Sequence, residues 1–298
     1  MSYHDPVLLH DSVDALNIKP DGVYVDVTYG GGGHSRLILD KLGETGRLIA
    51  FDQDLDAASQ LIKDERLTFV QHNFRTLKKF LRLHGVRQVD GILADLGVSS
   101  HQLNEAERGF SYRFDAELDM RMNQENEKTA SEILNTYSAE DLQQIFSAYG
   151  EVRNSKTLAE AIVAERNHRK IQTINDFLII LEPLIRGKRQ RYLAQVFQAL
   201  RIEVNEEMEV LKAFLTQALE VLKPGGRLVV ISYHSLEDRY VKHFIKTGTF
   251  DGQFIKDFYG NISRPFKVIS KKAIEATQGE VRVNFRARSA KMRIAEKK

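Results

Sequence analysis

The chain has 298 residues, 42% of them hydrophobic, enough to bury a sizeable core in one large domain or in one domain with a smaller companion. It contains no cysteine, which excludes disulfides, thiolate nucleophiles and Cys-built metal sites and fits a reducing compartment. A net charge of +2 is too small to imply nucleic acid by itself, so any such argument must come from local clusters.

The N-terminal MSYHDPVLLH lacks a basic region followed by a signal-length apolar run, and FLIILEPLI (177–185) falls well short of the roughly 18 apolar residues of a membrane span. A cytoplasmic protein with no membrane partner is expected. From Val23 onward short apolar runs alternate with helix-like segments. VYVDV leads to HSRLILDKL, GRLIAFDQD to DAASQLIKD and LTFVQHNF to RTLKKFLRLHG, before a fourth run, VDGILADLG. This alternation predicts βαβ units on a parallel sheet, a doubly wound α/β fold.

After Ser100 helical periodicity takes over. Ser138 with Asp141 signals the start of one helix, with Leu142, Ile145, Phe146 and Tyr149 on one face. Thr173 with Asp176 does the same for Phe177, Ile180, Leu181 and Leu184. A long helix carrying Met208, Leu211, Leu215 and Leu222 is expected to stop at Lys223-Pro224-Gly225, followed by a strand, GGRLVVISY (225–233). The helix EDRYVKHFIK and two basic strands, within FKVISKKAI and SAKMRIAEK, close the chain. Residues 1–104 and 206–298 thus read as one discontinuous α/β domain and 105–205 as an inserted helical domain for substrate recognition.

Four consecutive glycines stand in DVTYGGGGHS (26–35), directly after the first strand. A phosphate-binding P-loop would need a lysine after the glycines, and none is present. A dinucleotide fingerprint counted from Gly30 puts Ser35 where the third glycine belongs. The S-adenosylmethionine (SAM) pattern D/E-x-G-x-G-x-G fits Asp26, Gly30 and Gly32, with Thr28 in place of the first glycine; glycines would let the backbone turn tightly and approach the ligand. Asp52 ends the second strand, where a carboxylate can accept ribose hydroxyls or, like Asp54, cap the next helix. Asp95 ends the fourth strand, the third carboxylate on one rim. Tyr233, His234 and Ser235 follow the fifth apolar strand onto the same rim, as candidates for a base pocket. No His, Asp or Glu spacing points to a metal, since His234 and His243 are nine residues apart.

YHDPVLLHDSVDAL, DVTYGGGGHS, AFDQD, DGILADLGVSSHQL, ERGFSY, LDMRM, FQALRIEVNEE, LKPGGRL, YHSLEDR and FRARSAKMRIAE occur in this order across the chain. In these stretches the sequence resembles the RsmH (MraW) methyltransferases. The resemblance implies a Rossmann-like SAM-dependent methyltransferase sheet and methyl transfer to N4 of a cytidine in the decoding region of 16S ribosomal RNA. It also implies that Gly32, Gly33 and His34 hold SAM, that Asp52 contacts its ribose, and that Phe74, Asp95 and Gln102 complete the cofactor pocket. Other amino-methyltransferases carry N/D-P-P-Y/F after the fourth strand, whereas this chain has Asp95-Leu96-Gly97-Val98; two family prolines beside LDMRM and FQALRI are replaced, by Glu117 and within RYLAQV.

Two basic clusters suit RNA. One comprises Arg166, Arg169 and Lys170 with Arg186, Lys188, Arg189 and Arg191; the other, Arg282, Arg286, Arg288, Lys291 and Arg293. With the resemblance, the expected partner is 16S ribosomal RNA within the small ribosomal subunit, and a homodimer stays open. Asp95 is the expected acceptor for the target amine, with His234 and Ser235 as further catalytic candidates, and the base is expected to leave its stack to reach them. An NAD-dependent oxidoreductase and a non-enzymatic RNA-binding protein are the competing readings. The first lacks its third glycine; the second leaves Asp26, Asp52 and Asp95 without a purpose.

Overall fold

A computed structural model describes residues 6–298, so Tyr3, His4 and Asp5 of the first motif lie outside the described residues. The chain divides into two compact units, one running to Gly97 and again from Met208 to Lys298, the other from Val98 to Glu207.

The first unit is built on a seven-stranded sheet. Its strands are β1 (Val23–Asp26), β2 (Arg47–Asp52), β3 (Leu67–Gln71), β4 (Val89–Asp95), β5 (Leu222–Ser232), β6 (Phe266–Val268) and β7 (Lys291–Lys297), in the order β3-β2-β1-β4-β5-β7-β6. The first five are parallel, and β7 runs antiparallel to β5 and β6. Val25, Ile49, Phe51, Ile92, Ala94, Leu228 and Val230 point to one apolar layer, while Tyr24, Leu48, Leu93, Val229 and Ile231 point to the other. Both faces are covered, which is why these strands read as near-continuous apolar runs. The expected doubly wound α/β architecture is the observed one.

Two elements differ from the sequence reading. Of DAASQLIKD (56–64) only the first three residues are helical, in the short helix Leu55–Ala58, because the Tyr29 hydroxyl donates to Gln60 O at 3.0 Å and accepts from Ile62 N at 3.0 Å, holding that backbone away from helical pairing. The helix Glu207–Val221 stops one residue before Leu222, and β5 already begins there, spanning Pro224 and Gly225. Leu222 pairs with Val89 and Arg227 with Gly91, so five positions on β5 span two on β4 in a bulge. Lys223 closes it with a 2.7 Å bond to Asp90, which also accepts from Val23 N at 2.9 Å.

The second unit is helical around one apolar core. Ser138 caps the helix Ala139–Ala148 by accepting from Asp141 N, and Thr173 with Asp176 forms a reciprocal capping box on Ile174–Leu181, both as the sequence signalled. Three motifs converge here. Arg108, from ERGFSY, donates to the carbonyls of Arg121 and Met122; Asn205, from the segment after FQALRI, donates to Met120 O at 2.8 Å and accepts from Met122 N at 2.7 Å. They fix LDMRM around Met120, which takes a left-handed conformation with φ 62°.

Candidate active site

The rim of the first unit lies where β1, β2, β4 and β5 end and their loops begin. Asp26, fully buried at the end of β1, accepts from Ser35 Oγ at 2.7 Å and from Thr28 N at 3.1 Å. Thr28 occupies the place of the pattern's first glycine and supplies what glycine cannot. Its hydroxyl accepts from Asp95 N at 2.7 Å, tying the loop after β1 to the end of β4.

The glycines divide into two kinds. Gly30 has φ +53° and nothing within 4 Å of where a Cβ would stand, so it combines a left-handed turn with open space beside the backbone. Gly32 and Gly33 are glycines for packing. A Cβ on Gly32, the left-handed cap of the helix Gly33–Lys41, would fall 2.6 Å from the Tyr29 hydroxyl, and one on Gly33 would fall 2.2 Å from the Pro6 ring.

Asp52 accepts from Gly30 N at 2.7 Å through one oxygen and from Asp54 N at 2.9 Å through the other, while Asp54 caps Leu55–Ala58. Asp52 therefore anchors the glycine turn, and its carboxylate retains acceptor sites beyond those two bonds. Beside it Asn73 donates to Gln53 at 2.7 Å, joining the ends of β2 and β3. Phe74, half-buried, packs edge-on against Phe214 with ring centres 5.3 Å apart.

Asp95 sits at the centre of the rim. One oxygen accepts from the Tyr233 hydroxyl at 2.7 Å and the other lies 4.0 Å from His34 Nδ1; 21% of its side chain remains exposed. His34 is buried, with Nε2 3.3 Å from Val7 O. A carbonyl only accepts, so Nε2 carries the hydrogen and Nδ1 offers its lone pair towards Asp95. Burial holds His34 below the usual histidine range against the opposing pull of Asp95, so the ring is neutral at neutral pH.

Burial also pushes Asp26, Asp52 and Asp95 up, each to about 6. Asp26 adds to the upward push on Asp52 and Asp95 as a like charge, so the rim concentrates negative charge. Burial and the adjoining Asp95 raise Tyr233 well above the ordinary tyrosine value, so it remains a donor.

His234 caps the helix Ser235–Thr247 from a largely buried position. Its Nδ1 accepts from Glu237 N, and Glu237 returns bonds to the backbone N–H of Tyr233 and His234. Ser235 is exposed. Gln102 belongs to the other unit, where it forms a capping box with Ser99 on the helix Ser100–Asn104. The structure thus brings Gly32, Gly33, His34, Asp52 and Asp95 to one rim, with Phe74 past the end of β3 and His234 and Ser235 past β5. The tasks of Thr28 and Glu237 escaped the sequence reading; the only signal for Thr28 was its departure from the glycine pattern.

The basic clusters divide as well. Arg166 donates to the carbonyls of Leu134 and Tyr137, Arg169 pairs with Glu165 and Asp176, Arg189 pairs with Glu182, and Arg293 pairs with Asp238. Lys170, Lys188 and Arg191 are exposed and have no acidic partner among the described residues.

The sheet order with an antiparallel β7, the glycine turn and the acidic rim together define a Rossmann-like methyltransferase. Residues 1–298 match the model of the MraW methylase family, and the chain belongs to that family. It is 58% identical over 298 residues to the ribosomal RNA small subunit methyltransferase H of Flavobacterium johnsoniae, covering 100% of this chain and 98% of that one. A relative of the same name from Bacteroides thetaiotaomicron is 58% identical over 299 residues, with coverage of 100% and 98%.

The rim fits SAM on its own chemistry. Buried carboxylates, raised partly by one another, suit a ligand carrying a sulfonium and an ammonium. The space at Gly30 admits a close approach to the backbone, and Asp52 keeps acceptor sites for hydroxyls. The chain is a SAM-dependent methyltransferase.

Proposed function

We propose that this protein methylates N4 of a cytidine in the decoding region of 16S ribosomal RNA, acting on the small ribosomal subunit. One observation carries the reading: Asp95, at the end of a central strand, is partly open, fixed on one side by Tyr233 and faced on the other by neutral His34. Bound SAM supplies an electrophilic methyl carbon. Gly30, Gly32, Gly33, Asp52 and Phe74 hold and orient it.

Cytosine N4 is a weak nucleophile because its lone pair is delocalised into the ring. An ionised Asp95 accepts an amine N–H, localises that pair and takes the proton as the new bond forms. At pH 7 to 8 a group titrating at about 6 is already ionised. The proton then leaves Asp95 to water through the open edge of its carboxyl, 21% of the side chain being exposed. Tyr233 to Ser235 line the base pocket, His234 as the buried frame of the loop and Ser235 as a contact to the extruded base. Lys170, Lys188 and Arg191 in the inserted unit supply phosphate contacts.

The test is methyl transfer from labelled SAM to small subunits lacking the modification, followed by nuclease digestion and mass spectrometry. Label on N4 of one cytidine is expected. Label on C5 or on a ribose, or none at all, overturns the proposal. An Asp95→Ala protein that binds SAM weakly yet turns over normally at saturation would restrict Asp95 to cofactor binding.

A further inference from the structure

Between the helix Ser235–Thr247 and β6 the chain makes a small excursion whose tip is built from aromatic residues. Lys256 and Ile262 pair as an antiparallel bridge, and Ser263 N donates to Ile255 O at 3.0 Å, so the segment is a hairpin. Asp257 organises the turn. Its carboxylate accepts from Tyr259 N at 2.9 Å, from Asn261 N at 2.8 Å and from Asn261 Nδ2 at 2.8 Å, and its carbonyl accepts from Gly260 N at 3.0 Å. These bonds hold that carboxyl below the usual range, so the turn keeps its clasp well into acid.

What the clasp presents is unusual for a soluble surface. Phe258 is 98% exposed and Tyr259 86%, their rings edge-on with centres 5.6 Å apart. An edge-to-face pair that exposed leaves ring faces available for another flat group. Among the described residues no ring of the first unit packs on these two, and with Ile255 (56% exposed) and Ile262 (41%) beside them on the hairpin they form a cluster of exposed apolar side chains, the kind of patch that marks an interaction site.

The surroundings indicate which partner. Residues 246–272 carry six basic side chains, Lys246, Lys256, Arg264, Lys267, Lys271 and Lys272, all exposed, against two acidic ones, Asp251 and Asp257, and Asp257 is occupied by the turn. Lys267 pairs with Glu296 at 3.6 Å. Arg264 and Lys246 lie over the Phe254 ring, 5.3 and 6.0 Å from its centre, carrying the alternation of cation and ring down the hairpin. Cations interleaved with open aromatic faces are how proteins hold unpaired nucleotides, phosphates on the cations and bases on the rings. A second copy of this chain would meet the same positive charge and only a narrow apolar tip, a poor match for the area that a stable dimer buries.

We infer that the 254–264 hairpin is a stacking finger for unpaired bases of the RNA substrate, with Phe258 and Tyr259 as the stacking platforms and Lys256 and Arg264 as phosphate contacts. The inference rests on the proposed RNA substrate and adds a second point of attachment, apart from the methyl-transfer rim.

The chain has no tryptophan, so Phe258→Trp introduces a single indole reporter at the tip. Its fluorescence is titrated with an unpaired RNA oligonucleotide and with a fully paired duplex of the same length. In parallel, the affinity of the full-length Phe258→Ala/Tyr259→Ala protein for the unpaired RNA is measured by anisotropy. Quenching by the unpaired strand well beyond that by the duplex is expected, with a loss of affinity of about 10- to 100-fold in the double variant, as base stacking on two rings implies. SAM affinity and thermal unfolding are expected to match the parent.

Equal quenching by both RNAs, or unchanged affinity in the double variant while the parent binds RNA, overturns the finger and leaves the proposed substrate standing. A parent that binds no RNA overturns both. A double variant that changes sedimentation from dimer to monomer while keeping its RNA affinity assigns the rings to self-association and overturns the finger.

Discussion

Replacing Tyr233 with phenylalanine removes one hydroxyl and tests whether Asp95 acts as an ionised acceptor. In the parent that hydroxyl donates to Asp95 at 2.7 Å and favours the carboxylate, against the burial that raises the group to about 6. A hydrogen bond to a charged acceptor contributes about 1.5–3 kcal/mol, and one pKa unit corresponds to about 1.4 kcal/mol, so complete loss would raise Asp95 by about 1–2 units. With 21% of the side chain exposed, water replaces part of the bond, and a rise of about one unit is expected. Activity needs the ionised form and therefore falls as pH drops through the folded-state value. The acid limb of kcat/KM should move from about 6 in the parent to about 7 in Tyr233→Phe, with the plateau above pH 8 much less affected. Asp95→Asn, profiled alongside, should lack the limb and retain only a small pH-independent rate. An acid limb that stays in place in Tyr233→Phe would refute the coupling; a limb that persists in Asp95→Asn would refute the role of Asp95.

The two kinds of glycine should separate in one comparison. Gly33→Ala drives a methyl into Pro6 and should cost about 1–3 kcal/mol in thermal unfolding, while Gly30→Ala meets no atom, costs about 1–2 kcal/mol for its left-handed backbone, and loses SAM affinity by calorimetry out of proportion to that cost. Asp95→Asn should stabilise the ligand-free protein at pH 7.5 by about 1–2 kcal/mol. The sign follows from the raised folded-state value: the protonated group's stabilising contribution is present at acid pH and lost as pH rises through about 6, so the gain should vanish near pH 4 in a differential scan. Lys188→Ala/Arg191→Ala should flatten the salt dependence of RNA binding by about two units of slope with no change in stability. Arg166→Ala should instead lower stability and leave that slope alone, since its guanidinium is committed to the carbonyls of Leu134 and Tyr137.

These contrasts show where the sequence is legible. The βαβ rhythm, the caps at Ser138 and Thr173, and the delivery of Asp26, Asp52 and Asp95 to one rim are local signals, carried by side-chain period and by residues that satisfy helix ends. What stayed hidden depends on partners far along the chain. Nothing local tells that Tyr29 would halt the helix after Ala58, or that Asp90 and Lys223 would draw Leu222 into β5 ahead of a proline. The same holds for charge. Arg166 and Arg293 look like members of RNA-binding clusters, but the first completes a helix end and the second forms a two-point pair with Asp238, 55 residues away. His34 resembles a helix-opening residue until Val7 is brought against its Nε2.

The rim also explains why a protein would keep three carboxylates where burial penalises their charge. Each titrates at about 6, so near neutrality the ligand-free protein holds mutually repelling charges that a stability-optimised fold would discard. Hydrogen bonding offsets part of this: Ser35 and Thr28 N–H serve Asp26, Gly30 and Asp54 serve Asp52, and Tyr233 serves Asp95. The remainder is what a cationic ligand can relieve. Binding should therefore stabilise the folded chain beyond the contacts the ligand makes, and it should do so more at pH 7.5 than at pH 5.5, where protonation has already removed much of the repulsion. A donor of this charge finds its site electrostatically prepared, and the product left after methyl transfer, a thioether that has lost the sulfonium charge and keeps only the ammonium of the two cations, loses part of that advantage, which favours its release.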